Sequence, residues 1–181
     1  MACELTAGFT LECKSTIGGI KAIYLQQHQD FLTNVTIDAT TEEVDGLPTA
    51  SIYKYTCPKH TGSFNEEVAS SVENGTIFYT QTVTATFFAL SAARRKQLEL
   101  VAKNRLVVFV QDNNDNIWMV GKADGAEVTA MTTSTGVAKG DLNGYTITFT
   151  AEEGHKAYRL ESYTSLPFDN YGGITVVLPT I

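Results

Sequence analysis

The thirteen residues from Thr76 to Phe88 constrain the fold of this chain more than any other stretch. Threonine and apolar side chains alternate along most of the run, which is typical of a β-strand with one apolar and one polar face. The run is longer than the ~5–6 residues usual in globular sheets. It therefore predicts a sheet that extends beyond its own domain or curls into a barrel. We expect Ile77, Tyr79, Val83, Ala85 and Phe87 on one face, Thr76, Thr80, Thr82, Thr84 and Thr86 on the other, and Phe78 and Phe88 at the ends.

A second stretch, residues 91–105, predicts one helix in a chain that otherwise reads as strand. It has no Gly, no Pro and many strong helix formers. Ser91 is the expected N-cap, because its hydroxyl can accept from an amide one turn later. Leu98, Val101 and Ala102 fall on one side, with Leu90 above them, so the helix can cover a sheet face or one mouth of a barrel.

The basic cluster of this helix, Arg94, Arg95 and Lys96, lies in its first turns, where the helix dipole disfavours positive charge. It is interpreted either as a solvated helix face or as a surface that meets acidic groups of a partner.

Shorter alternating or apolar runs predict the remaining strands, and Asn, Asp and Gly mark the turns between them. These runs cover residues 20–25, 35–39, 50–57, 62–69, 106–110, 117–121, 123–136, 145–150, 157–163 and 174–178. Residues 26–32 and 40–48 are predicted loops. The pattern indicates a mainly β fold, a β-sandwich or barrel with one flanking α-helix at about 91–104. We expect a single domain, 1–181, with an N-terminal arm (1–18) and a C-terminal arm (161–181).

Composition restricts the class of function. The net charge is −7 and charged residues make up only 18% of the chain, below the usual ~25%. A surface of this kind favours extensive β structure and protein–protein contact, and it lacks the clustered Lys and Arg that grip nucleic acid. Three unpaired cysteines and the lack of a signal-peptide pattern indicate folding in a reducing cytoplasm. No apolar run approaches the ~20 residues of a membrane span.

No catalytic or metal-binding constellation is visible in the sequence, so we expect neither enzymatic activity nor a cofactor. His28, His60 and His155 fall in predicted loops without a nucleophile and an orienting acid beside them. Adjacent glutamates on a strand point to opposite faces and form no carboxylate pair. Cys57 and His60 lack further metal ligands, and residues 111–116 lack the spacing of an EF-hand.

The order of motifs from the helix onwards resembles tail-tube-like virion proteins of tailed bacteriophages, especially those infecting Bacteroidetes. The helix ends in Leu98-Glu-Leu-Val-Ala-Lys-Asn-Arg105, followed by Leu106-Val-Val-Phe-Val110, an Asp/Asn turn and Ile117-Trp-Met-Val-Gly121. Thr135-Gly136 then leads to Gly140-Asp-Leu-Asn-Gly-Tyr-Thr-Ile-Thr-Phe-Thr150 and the acidic step Glu152-Glu153. The resemblance covers about a third of the chain and does not include the first 75 residues.

This resemblance implies a tail tube subunit that forms stacked hexameric rings with a DNA-conducting lumen. It implies self-association, contacts with other phage tail proteins, transient non-specific passage of DNA, no membrane contact, and location in the virion tail after assembly in the host cytoplasm. An acidic lumen would let DNA slide. We expect the hairpin of residues 61–72 and 76–88 at the ring interface, and the loop 40–48 or the N-terminal arm against the next ring. The interface residues are Thr76, Phe78, Thr80, Thr82, Val83, Thr84 and Thr86, and the flanking helix presents Ser91, Arg94, Arg95, Leu98 and Val101.

Two other readings are open. One is a different virion role, as a tail terminator, tail hub, neck ring or capsid decoration protein. The other is a host- or glycan-binding β-sandwich, in which exposed aromatic rings would stack on sugars. The candidate stacking residues are Tyr53, Tyr55, Trp118 and Tyr158.

Overall fold

The computed structural model describes residues 7–10, 14–28 and 34–180. Within these residues the protein is mainly β with one helix, as predicted. In chain order the elements are β1 (Ile20–Gln27), β2 (Thr36–Ile37), β3 (Val44–Gly46), β4 (Ala50–Thr56), β5 (Gly62–Ser71), β6 (Thr76–Phe88), α1 (Ala92–Lys103), β7 (Leu106–Asp112), β8 (Ile117–Val120), β9 (Glu127–Ser134), β10 (Gly144–Glu153), β11 (Tyr158–Arg159) and β12 (Ile174–Val177).

Ten of the described strands form two sheets that pack against each other. The larger sheet has the order β11-β8-β7-β1-β4-β12, and the smaller has the order β5-β6-β10-β9. Neighbouring strands are antiparallel, except that β12 runs parallel to β4. Ile23 and Val108 of the larger sheet share one buried core with Val83, Ile147 and Phe149 of the smaller sheet.

The centre of the larger sheet, at β7, is buried on both faces, as the apolar run 106–110 predicts. Val108 and Val110 face the smaller sheet, whereas Val107 and Phe109 belong to a second buried cluster on the opposite face. That cluster includes Phe168, which comes from the segment after β11. Loops therefore form a third layer over this sheet.

Helix α1 begins as the sequence predicts. The hydroxyl of Ser91 accepts a hydrogen bond from the backbone N–H of Arg94 at 3.2 Å. Leu98 and Val101 are buried in the core between the sheets. Ala102 is exposed, so its predicted place on the buried side is wrong, because α1 meets the core along a stripe narrower than the apolar spacing implied.

Strict alternation over residues 20–25 predicts that Ile20, Ala22 and Tyr24 share one face of β1, and this prediction is wrong at the first residue. Ile20 lies in the same core as Ile23 and Leu25, and not with Ala22 and Tyr24 as the strict alternation required. The register of β1 against β7 shifts between Ile20 and Ala22. An extra residue at such a shift changes which face the preceding side chain occupies.

Several predicted boundaries also differ. The loop 40–48 contains β3, whose Val44 is completely buried. The predicted strand 35–39 contributes only the two residues of β2, and 157–163 only the two of β11. Gln26 and Gln27, predicted to be in a loop, extend β1, because β7 supplies pairing partners for both.

The two segments expected to be arms differ in how far they are buried against the rest of the protein. Residues 7–10 and 14–18 of the N-terminal segment are exposed, and Ile17 donates its N–H to Asn114 Oδ1 at 2.9 Å. In the C-terminal segment, Phe168 and Tyr171 are buried and β12 pairs with β4.

Among the described residues there is no helix with the length and apolar character that a membrane crossing requires.

Candidate self-assembly surface

The outer face of the smaller sheet is a ladder of hydroxyl groups. Thr84 and Thr86 of β6 lie opposite Thr148 and Thr146 of β10, and the facing hydroxyl oxygens are 3.3 and 3.1 Å apart. A third pair continues into β9, with Thr129 and Thr150 Oγ1 atoms 2.9 Å apart. The inner face of the same strands carries the buried apolar residues, so the predicted division of β6 into two faces is confirmed.

This sheet contains no basic residue, because β5, β6, β9 and β10 have no Lys, Arg or His in their sequences. Glu67 and Glu152 are exposed. Their neighbours point inwards, as expected for adjacent strand residues. Glu66 Oε1 accepts from the N–H of Ala157 at 2.7 Å, and the buried Glu153 accepts from backbone N–H groups of the loop after β8. The outer face is therefore uncharged or acidic.

The free edges of this sheet are β5 and β9. β6 lies between β5 and β10, so both of its edges are already paired within one copy. Within the described part of the chain, no strand pairs with the outer side of β9. Its side chains are exposed on both faces after Val128, and Met131 is 41% exposed.

Helix α1 and the Arg105–Glu127 ion pair (3.5 Å) lie beside the start of β9, but the rest of the strand lacks the charges and prolines that protect an edge. From Val128 to Ala138 the sequence has no charged residue and no proline. Sheet edges in soluble proteins are usually blunted by Lys, Pro or short length, because an open edge pairs with other chains. The β9 edge is therefore suited to pairing with a second chain. Sequence reasoning missed it, although the uncharged stretch of eleven residues was visible.

The predicted interface residues of β6 divide into three groups in the structure. Four threonines lie on the outer face of the smaller sheet, called the hydroxyl face below, and are half-buried by their neighbours: Thr80, Thr82, Thr84 and Thr86. Val83 is completely buried between the sheets, so its assignment to an interface is wrong: the alternation that exposes the threonines turns Val83 inwards.

The other two, Thr76 and Phe78, lie at the exposed end of the β5–β6 hairpin. β10 pairs with β6 only from Tyr79 onwards, so this end projects beyond the rest of the sheet. Its exposed apolar residues, Val68, Val72, Ile77 and Phe78, are called the hairpin tip below.

The predicted helix residues lie beside the opposite end of β6. The Arg94 guanidinium donates to the carbonyl oxygens of Phe88 and Ala89, which ties the start of α1 to the end of β6. Arg95 is exposed. Next to Arg94, a cavity of about 440 Å³ opens between α1, β4, the end of β6 and the segment after β12.

His28 and Cys57, two of the residues considered for chemistry from the sequence, are both buried. His28 is buried, with Nε2 3.3 Å from the Lys122 carbonyl oxygen. Burial raises the pKa of the Cys57 thiol to about 11, so at neutral pH it is a protonated core residue rather than a nucleophile. No group of three or more His, Cys, Asp or Glu residues suited to a metal occurs among the described residues.

The four aromatic residues of the glycan-binding reading do not share one surface. Trp118 packs with the core between the sheets, whereas Tyr158 packs on the opposite face of the larger sheet. Tyr55 packs on Phe87, with ring centroids 5.8 Å apart. Tyr53 is 47% exposed. A stacking platform built from all four rings is therefore not formed.

Comparisons of the chain with protein-family models and with curated proteins find no match.

Proposed function

We propose that this protein is a structural virion protein, a tail tube subunit that forms stacked hexameric rings around a DNA-conducting lumen. The observation that carries the proposal is the unpaired edge of β9, which is uncharged from Val128 onwards, beside a sheet face made of hydroxyl groups. The motif resemblance supplies the ring number and the phage context, including location in the virion tail, assembly in the host cytoplasm and contact with other tail proteins.

Strand directions support lateral pairing between β9 of one copy and β5 of the next. The strands of the smaller sheet alternate in direction, so β5 and β9, at its two edges, run in opposite directions. Copies with the same orientation can therefore join through an antiparallel β9–β5 pair and continue the alternation around a ring. Six copies of four strands give a closed barrel of twenty-four strands, and closure removes open edges.

The hydroxyl face is the surface that would line the lumen of such a barrel. The exposed charged residues of its strands are acidic: Glu67, Glu127, which lies opposite Thr150 and pairs with Arg105, and Glu152. DNA binding depends on Lys and Arg that neutralise phosphates. A lumen lined by strands without Lys or Arg, with the neighbouring Arg105 paired to Glu127, would offer DNA few positive groups to hold it during passage, which suits a conduit.

A charge on the β9 edge tests the lateral contact. We expect Thr132→Lys to reduce ring formation strongly, because an ammonium at an edge strand opposes pairing with a second chain. The matched control is Thr175→Lys, an exposed threonine on β12 at the edge of the larger sheet. Size-exclusion chromatography with light scattering and negative-stain microscopy give the readout.

Two results would contradict the proposal. One is a wild-type protein that stays monomeric at the high concentrations found in a virion. The other is ring formation that Thr175→Lys abolishes and Thr132→Lys leaves intact, since that would place the contact on the larger sheet.

The other virion roles differ from a tube in how assembly ends. A terminator or hub ring stops at one ring, and a decoration protein binds capsid. The projecting hairpin tip favours the tube, because a ring with an exposed apolar projection on one side has a surface for a further ring. Tubes of variable length in the micrographs distinguish the tube from a single ring.

A further inference from the structure

The two ends of β6 carry complementary features. The hairpin tip is at the start of the strand, and the cavity beside α1 is at its end. β6 has thirteen residues, so at about 3.3 Å per residue these ends are roughly 40 Å apart. Neither feature can reach the other within one copy.

The hairpin tip is apolar and exposed. Val72, in the turn, is 96% exposed, and Val68 and Ile77 are both more than half exposed. Because Thr76, Ile77 and Phe78 lie beyond the end of β10, the projection is about 10 Å long before the turn is counted. Exposed apolar side chains on both faces of a projecting hairpin are suited to burial against another surface.

The cavity is lined by aromatic and aliphatic side chains. Phe87 and Phe88 come from β6, Tyr53 from β4, and Leu178 from the segment after β12. Leu178 is 63% exposed at this site. The volume of about 440 Å³ lies within the range of cavities that hold small ligands, and it has room for one or two aliphatic side chains.

The charges at the two ends are opposite. Between His60 and Arg94 the sequence has three acidic residues, Glu66, Glu67 and Glu73, and no basic one. Glu73 lies in the turn of the hairpin, beside Val72. Arg94 lines the cavity, and no residue in its described lining is acidic. Arg95 and Lys96 follow on the same helix.

We propose that the hairpin tip of one copy inserts into the cavity of the next copy, head to tail along the direction of β6. Apolar side chains would fill the cavity and Glu73 would approach Arg94. A contact between two different surfaces of the same chain does not close on itself and generates a filament. The inference rests on the proposed function in one respect: within a ring, six such contacts act together to stack the next ring.

Charge substitution at the tip tests the contact. We expect Val72→Lys to leave ring formation intact but to abolish stacking, or to raise the concentration at which stacks appear by more than about tenfold, because a lysine would meet the Arg94 side of the cavity. Val72 is in an exposed turn, so the monomer fold should be unaffected. The matched control is Leu166→Lys, a 70% exposed apolar residue in the loop layer.

A second substitution tests whether the cavity is the receiving surface. Leu178→Glu alone should weaken stacking, and combined with Val72→Lys it should restore stacking at least in part, because the lysine then meets a carboxylate. Sedimentation velocity and negative-stain microscopy distinguish single rings from stacks.

Each outcome supports or overturns a separate step. Rings without stacks for Val72→Lys, with recovery in the double variant, support the inference. Normal stacking of Val72→Lys overturns it and leaves the proposed function intact. If Val72→Lys abolishes stacking, the double variant does not restore it and Leu178→Glu alone stacks normally, the cavity is excluded as the receiving surface. Wild-type protein that forms no rings overturns the proposed function itself.

Discussion

At the residue scale, Thr82 and Val83 show how one step along a strand separates surface from core. Val83 is completely buried, whereas Thr82 is half-buried on the hydroxyl face. The same substitution, made at each of these two positions in turn, can therefore show which side chain faces the core and which faces solvent. This matters for any test of assembly, because a variant that unfolds the monomer reports nothing about the ring.

We expect Val83→Asp to lower the free energy of unfolding by at least ~3 kcal/mol, because a carboxylate without a partner would be buried between the sheets. Thr82→Asp should change it by less than ~1 kcal/mol, since its side chain reaches solvent. Urea unfolding followed by circular dichroism measures both. Equal effects of the two substitutions would contradict the assignment of faces.

At the element scale, the segment from Leu160 to Gly173 covers one face of the larger sheet without forming regular structure over most of its length. Phe168 packs edge-on against Tyr24 and Phe109, with ring centroids 5.0 and 5.3 Å apart. The Asp169 carboxylate organises the turn. It accepts hydrogen bonds from the backbone N–H groups of Leu166, Thr164 and Ser165 at 3.0, 2.9 and 2.7 Å.

These bonds predict a pH dependence that Asp169→Asn removes. The N–H donors, that of Leu166 foremost, lower the pKa of Asp169 in the folded protein. The Asp169 carboxylate therefore stabilises the fold fully at pH values above its pKa in the unfolded chain, about 3.9. This stabilisation is lost as the pH falls through the lower pKa of the folded protein. The urea midpoint of the wild type should exceed that of Asp169→Asn at pH 7, and the gap should narrow below about pH 4. A gap that is constant with pH would contradict this role.

At the scale of the whole molecule, basic residues are absent from the strands of the sheet proposed to line the lumen and are clustered at the start of α1. The smaller sheet has no basic residue, whereas the basic cluster of α1 lies at the end of the sandwich. If the hydroxyl face lines the lumen, adding cations there should convert a conduit into a DNA-binding site.

We expect tubes carrying Thr82→Lys and Thr84→Lys to retain short linear duplex DNA, with affinity that falls as salt increases, because each lysine can neutralise a phosphate. Closed circular DNA has no end to enter a lumen and should not be retained. The control carries lysine at the exposed positions Thr164 and Thr175. Filter binding at several salt concentrations measures the difference. Equal retention of circular DNA would place the hydroxyl face on the outside.

The sequence by itself determined the local structure and much of the surface chemistry. Alternation located β6 and β10 and divided the two faces of β6, the apolar run 106–110 indicated a strand buried on both sides, and Ser91 marked the start of α1. The absence of basic residues from the smaller sheet was also readable. These features depend on residues close together in the chain, whose periodicity reports which side of an element is apolar.

Only the tertiary structure decided which strands pair and which edges are left open. Periodicity does not specify a partner, so it could not show that β6 lies inside its sheet and that β9 is at the edge. The bulge beside Ile20, the burial of Phe168 and the cavity between α1 and Leu178 likewise depend on segments far apart in sequence. The surfaces proposed for assembly follow from these long-range contacts, because an open edge or an open cavity is defined by what the rest of the chain leaves uncovered.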